Sequence, residues 1–188
     1  MPPPLILLVG SRGSGKSTVG PALAAQLGWG FADADEHVEA AAGMTIAALF
    51  AAEGEPGFRV REAAALGELC RRTNCVVATG GGVVLREVNR DLLRRSGFVA
   101  WLTAPAEVAY ERLRGDPATA ARRPNLTPAG GLQEMEAVLV AREPLYKQVA
   151  DFTCDTAVLS PEAAAAAILA AWTNSRSSSG PPSSSSSA

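Results

Sequence analysis

The chain has 188 residues, of which 47% are hydrophobic and 19% charged, with a net charge of −2. That size and balance suit one compact soluble domain, and no apolar run approaches the ~18 residues of a membrane span. A near-neutral charge gives no reason to invoke nucleic acid or an anionic membrane as a partner.

In chain order, the apolar stretch LILLV at 5–9 is too short for a secretory signal and reads as a buried strand. Further apolar runs place strands at 30–33, 75–79, 98–103 and 151–154. Alanine-rich segments between them suit helices at 15–27, 36–52 with a break at Gly43, 58–72, 86–96, 105–114, 130–148 and 161–172. Strands of continuous rather than alternating apolarity belong to a parallel sheet covered on both faces, so the class is α/β. Pro21 falls inside the first helix, where a local kink near Gly20 is expected. RGDPATAARRPNLTP at 114–128 opposes regular structure and reads as an exposed, mobile loop. The Ser/Pro-rich end, 175–188, cannot bury enough apolar surface to offset its ordering entropy and is expected to be disordered. Cys70, Cys75 and Cys154 are odd in number and lack zinc-site spacing, which favours reduced structural thiols and a cytoplasmic location.

The stretch LLVGSRGSGKSTVG carries Gly10, four residues, then Gly15, Lys16 and Ser17. This is the spacing of a loop that binds nucleotide phosphates. Glycines at 10, 13 and 15 let successive backbone N–H groups point inward at phosphate oxygens, and the following helix adds its positive end. Lys16 supplies a point charge for the β- and γ-phosphates, and the Ser17 hydroxyl can ligate magnesium.

Parallel strands end on one edge of a sheet, so the loops after the first three should meet around one crevice. After the second strand, FADAD sets Asp33 and Asp35 two apart, on one side if the chain stays extended; equally, it can be the cap of a helix. After the third, ATGGGVV leaves the backbone of Gly80, Gly81 and Gly82 open to a close neighbour, or simply ends a strand.

In this order the elements resemble the shikimate kinase family. GEPGFRVRE at 54–62 looks like its Gly-Glu-x-x-Phe-Arg segment and REPLYKQVAD at 142–151 like its Arg-x-Pro-Leu-Tyr segment, and the resemblance runs from about 5 to 172. It implies a three-layer αβα P-loop kinase fold over 1–174 with a five-stranded parallel sheet and a mobile lid at about 114–128. It also implies transfer of the γ-phosphoryl of ATP to the 3-hydroxyl of shikimate, with magnesium, by a cytoplasmic enzyme expected to be a monomer. The nucleotide would be held by Gly13, Ser14, Gly15, Lys16, Ser17, Thr18 and Arg123, and the metal by Ser17 and Asp33. Asp35, Arg59, Gly80, Gly81, Gly82 and Arg142 would bind the acid, with Lys16, Asp35 and Arg123 as the catalytic residues. Arg122 is a second candidate for the lid arginine, because this chain reads Arg-Pro-Asn where the family commonly has Arg-Pro-Leu. The adenine-contacting residue falls on Arg112 or Arg114. Arg61 and the sole histidine, His37, read as salt-bridging and surface groups. A gluconate-type kinase and a non-catalytic ATP-binding switch are the rival readings.

Overall fold

The computed structural model describes residues 4–115 and 131–177. Its frame is a five-stranded sheet formed by β1 (Leu5–Val9), β2 (Gly30–Asp33), β3 (Cys75–Ala78), β4 (Phe98–Thr103) and β5 (Phe152–Asp155). The strands are all parallel, in the order β2-β3-β1-β4-β5. Every residue of β1 is fully buried because the strand has neighbours on both edges and helices on both faces.

The pleat divides the core in two. Leu5, Leu7 and Val9 face Leu66 and Leu69 of α3 (Ile46–Leu69), Leu93 of α4 (Glu87–Ser96) and Tyr146 of α6 (Gly131–Val149). Ile6 and Leu8 face Val19 and Leu23 of α1 (Lys16–Leu27) and Ile168 of α7 (Pro161–Ser177). At ~1.5–3 kcal/mol for each large aliphatic side chain buried, this strand anchors both layers. The remaining helices are α2 (Ala34–Ala42), packed on α3, and α5 (Ala106–Arg114), packed on α6.

Five strands stand where the sequence predicts them, within one residue at the ends. The helical boundaries differ more. The segment expected as one helix from 36 starts at Ala34, breaks at Gly43 as expected, and resumes at Ile46 under the Thr45 cap. The next break falls at Gly54 (φ 67°, ψ −177°), and Pro56 lies in the first turn beyond it, where a missing N–H costs little. A one-turn 3-10 helix at Val83–Leu85 was not foreseen. Helix α1 continues through Pro21, where a local kink is expected, and Gly20 packs where a Cβ would lie 3.0 Å from Phe31 Cδ2. Residues 175–177, assigned to the tail, continue α7, and 178–188 lie outside the described residues. Cys70, Cys75 and Cys154 are free thiols whose pKa values burial pushes up, which suits structural cysteines. No helix among the described residues is long and apolar enough to cross a membrane.

Candidate active site

The loop between β1 and α1 sits at the carboxyl edge of the sheet, on the central strand. Gly10, Gly13 and Gly15 take φ values of 144°, 74° and 89°, the region that favours glycine, and a Cβ on Gly13 would lie 3.0 Å from the Ala109 carbonyl carbon. Gly15 is the N-cap of α1, so the first amides of that helix open into the loop's concavity. Lys16 Nζ folds back over the loop and donates to Gly10 O (2.9 Å), Ser11 O (2.7 Å) and Ser14 Oγ (3.3 Å). Ser14 is wholly buried and its carbonyl accepts the Thr156 hydroxyl at 3.0 Å, which ties the loop to the end of β5.

Asp33 closes β2 and caps α2: its Oδ1 accepts the Asp35 amide at 2.9 Å, while its Oδ2 accepts the Ser17 hydroxyl at 3.0 Å. The helix begins at Ala34, so Asp33 and Asp35 do not share one face of an extended strand; Asp35 stands in the first helical turn. Both still line one cavity of about 430 Å³ together with Lys16, Ser17, Thr18 and Arg112. Ser17 and Asp33 offer hard oxygen donors side by side, which fits a small divalent cation that keeps water and phosphate as its remaining ligands. Among the described residues no cluster of three His, Cys, Asp or Glu could cage a metal unaided.

On the far side of the loop lies the glycine turn after β3. Thr79 is buried and holds the turn to β1 twice over, its N–H and its hydroxyl both donating to Leu8 O. The Val83 amide donates to Gly80 O, closing the turn into the 3-10 helix. A Cβ on Gly81 would be 3.4 Å from the Arg12 amide nitrogen, so this turn and the phosphate loop are in contact. The two predicted acid-binding arginines reach it from different elements. Arg59 lies so close to Gly82 that a Cβ there would be 2.7 Å from Arg59 Cζ. Arg142 Nη1 donates to Gly81 O at 3.1 Å.

Arg59 is held in place by two carboxylates of its own helix. Its Nε and Nη2 donate to Glu55 Oε1 (3.1 and 2.8 Å) and its Nη1 to Glu62 Oε2 (2.8 Å). Burial alone would lower the guanidinium pKa, but the paired Glu62 and Glu55 more than offset it and leave the net shift upward. Arg59 and Arg142 do not line the larger cavity; Arg142 borders a second one of about 200 Å³ between α5 and α6, and Arg12 borders both.

Of the two arginines left open for the base of the nucleotide, the geometry separates their settings. Arg112 lines the larger cavity and donates to Gly13 O (3.2 Å) and to the side chain (3.0 Å) and carbonyl (2.6 Å) of Thr156. Arg114 borders the smaller cavity, near Glu111 and over the Tyr110 ring. Arg61 pairs with Glu53 and His37 with Glu68, as their sequence reading expects. Arg122 and Arg123 lie outside the described residues. Thr79, Glu62 and Tyr146 stand inside ATGGGVV, GEPGFRVRE and REPLYKQVAD without a role that those stretches disclose, and Thr156, alone, carries no local pattern.

A phosphate-binding loop on the central strand of a 2-3-1-4-5 parallel sheet, with one carboxylate closing the outer strand β2 and a second in the helical turn after it, defines a P-loop phosphotransferase. The model of the shikimate kinase family matches residues 12–173. The shikimate kinase of Rhodopirellula baltica is 46% identical over 155 residues, covering 82% of this chain and 83% of that one. That of Symbiobacterium thermophilum is 51% identical over 145 residues, covering 77% and 82%. The solved shikimate kinase from Acinetobacter baumannii in complex with shikimate superposes with a TM-score of 0.85 at 38% identity, over 92% of this chain and 94% of that one. The chain belongs to the shikimate kinase family.

Proposed function

We propose that the protein transfers the γ-phosphoryl of ATP to the 3-hydroxyl of shikimate, giving 3-phosphoshikimate for aromatic amino acid biosynthesis. The observation that carries this reading is the meeting of Arg59 and Arg142 on one glycine turn that itself touches the phosphate loop. A small polyol acid needs its carboxylate fixed so that a single alcohol faces the γ-phosphate, and two forked guanidinium groups on separate helices supply that geometry.

In this reading the triphosphate lies along the amides of Gly13 to Thr18, with Arg112 toward the adenosine end. Lys16 exchanges its bonds to the loop carbonyls for β- and γ-phosphate oxygens. Ser17 and Asp33 would hold magnesium, which would supply positive charge to neutralise the transferring phosphates. Asp35 orients the acceptor hydroxyl, and Gly80 to Gly82 line the acid pocket. Phosphoryl transfer proceeds in most analyses through a loose transition state, so alignment and charge neutralisation carry the catalysis. Arg123, with Arg122 as its alternate, completes the set from the lid. The same reading makes residues 1–174 one cytoplasmic, monomeric catalytic domain.

Steady-state assay of the purified protein with ATP, magnesium and a panel of polyol acids tests this. Preferred turnover of gluconate assigns a different acceptor, and ATP binding without turnover of any acid reduces the protein to a nucleotide switch.

A further inference from the structure

Tyr146 is wholly buried in α6, one helical turn beyond Arg142, so the two side chains project from the same face of the helix. Its hydroxyl donates to Gly81 O at 2.6 Å, the same carbonyl that accepts Arg142 Nη1 at 3.1 Å. A carbonyl has two lone pairs and serves both donors at once. The Tyr146 ring is in turn stacked on Trp101 of β4, with centroids 5.7 Å apart and planes at 21°, which fixes the hydroxyl against the sheet. We propose that Tyr146 is a positioning residue for the acid-binding half of the site, orienting the Gly81–Gly82 peptide and the Arg142 guanidinium beside it.

The physical need arises from the sequence of the turn. Three consecutive glycines open each peptide plane to conformations closed to other residues; the Val83 and Leu85 amides hold Gly80 O and Gly82 O from within the turn, whereas Gly81 O is held from α6. In a planar trans peptide the carbonyl and the following N–H point in opposite directions. Anchoring Gly81 O toward α6 therefore turns the Gly82 N–H away from α6. Both arginines depend on this plane: Arg142 bonds to its carbonyl, and Arg59 packs against the α-carbon that follows it. Burial pushes the Tyr146 pKa up to about 12, so the hydroxyl remains a donor throughout the working pH range.

This inference rests on the reading that Arg59 and Arg142 hold the acid, and the test keeps the two apart. Y146F retains the ring and its stacking while losing only the hydroxyl. Its KM for shikimate is expected to rise about five- to tenfold, the size of one ordinary net hydrogen bond, with the KM for ATP within twofold and kcat within threefold. W101F keeps the hydroxyl and loosens only the ring behind it, so it should lower Tm and raise the KM for shikimate by less than Y146F does. An unchanged KM for shikimate in Y146F, or equal rises in both KM values, overturns the positioning role. Tyr146→Met provides a second variant: it must raise the KM for shikimate at least as far as Y146F does, and a wild-type value sinks the proposal. Should R142A also leave the KM for shikimate untouched, the acid-site reading itself has failed, whereas a large effect of R142A beside none in Y146F removes only Tyr146.

Discussion

Ser17 and Asp33 meet at 3.0 Å, hydroxyl to carboxylate, although one opens α1 and the other closes β2. The same carboxylate also caps α2 through the Asp35 amide, so a single side chain fixes the distance between the phosphate loop and the acceptor side of the cleft. Asp33→Asn separates the two roles, because asparagine caps helices as well as aspartate does but brings no charge to a cation. The magnesium concentration giving half-maximal rate should rise roughly 10- to 100-fold, the range seen when groups around a metal are altered, with Tm nearly unchanged. Titration of magnesium at fixed ATP measures it, and an unaltered midpoint would take Asp33 out of the metal site.

Lys16 spends its ammonium on three acceptors of its own loop, Gly10 O, Ser11 O and Ser14 Oγ. The group is thus held over the position where phosphates bind. Lys16→Ala should lower kcat by roughly 10²–10³-fold, the loss typical of removing one preorganised donor to developing charge. Rapid-quench measurement of the transfer step distinguishes this from slowed product release; a normal kcat contradicts the assignment.

Arg142→Ala should act on one substrate only. A hydrogen bond to a charged group contributes ~1.5–3 kcal/mol, so the KM for shikimate should rise about 10- to 100-fold while ATP affinity stays within a small factor. Isothermal titration with each ligand separately reads this directly. Equal losses for both would move Arg142 to the nucleotide side.

Alkaline pH should weaken the fold through Tyr146. Burial raises its pKa from 10.0 to about 12, the nearby Arg142 acting in the opposite sense. The folded state therefore keeps this proton where the unfolded chain has lost it. The resulting stability is fully present below pH 10 and is lost as the pH climbs through about 12. The difference sets a ceiling of roughly 3 kcal/mol. Urea unfolding between pH 9 and about 12 should show a steeper fall for the wild type than for Y146F; parallel curves would mean that another group titrates.

The contiguous parts of the site could be read from the sequence, because loop, lysine and hydroxyl occupy one short stretch whose backbone is itself the ligand. The same holds for the strand LILLV, whose unbroken apolarity already states that both faces are covered. The readings failed or stopped where a distant partner decides the outcome. Tyr146 acts on Gly81 across 65 positions and Thr156 on Ser14 across 142; the Arg-x-Pro-Leu-Tyr segment contains Tyr146 without disclosing its partner, and no local pattern announces Thr156. Asp33 and Asp35 show a nearer case: of the two readings that FADAD leaves open, the helix cap holds, because the Asp35 amide bonds Asp33 Oδ1 and starts the helix at once, which cancels the two-residue strand period of the other. Between Arg112 and Arg114 the spacing alone could not choose, since the difference lies in the approach of Thr156 from the end of β5.

Gly82 is required by a neighbour and not by its backbone, whose φ of −99° any residue can adopt. A Cβ at that position would sit 2.7 Å from Arg59 Cζ, in the space the guanidinium occupies. The obstacle is the far end of a flexible side chain, so the fold can yield by moving Arg59. That movement must break the bonds from Arg59 to Glu55 and Glu62, and Glu62 lies in the core at 2% exposure. Gly82→Ala should therefore lower stability by ~1–3 kcal/mol, the usual range for overpacking, and raise the KM for shikimate at least as much as Arg59→Lys does. ATP affinity should be unaffected, because Arg59 does not line the larger cavity that holds Lys16 and Ser17. Thermal unfolding together with separate titrations of the two ligands checks all three outcomes. A variant that loses stability but binds the acid normally would show that Arg59 can leave Gly82 without cost to recognition, and that the clamp is held by Arg142 alone.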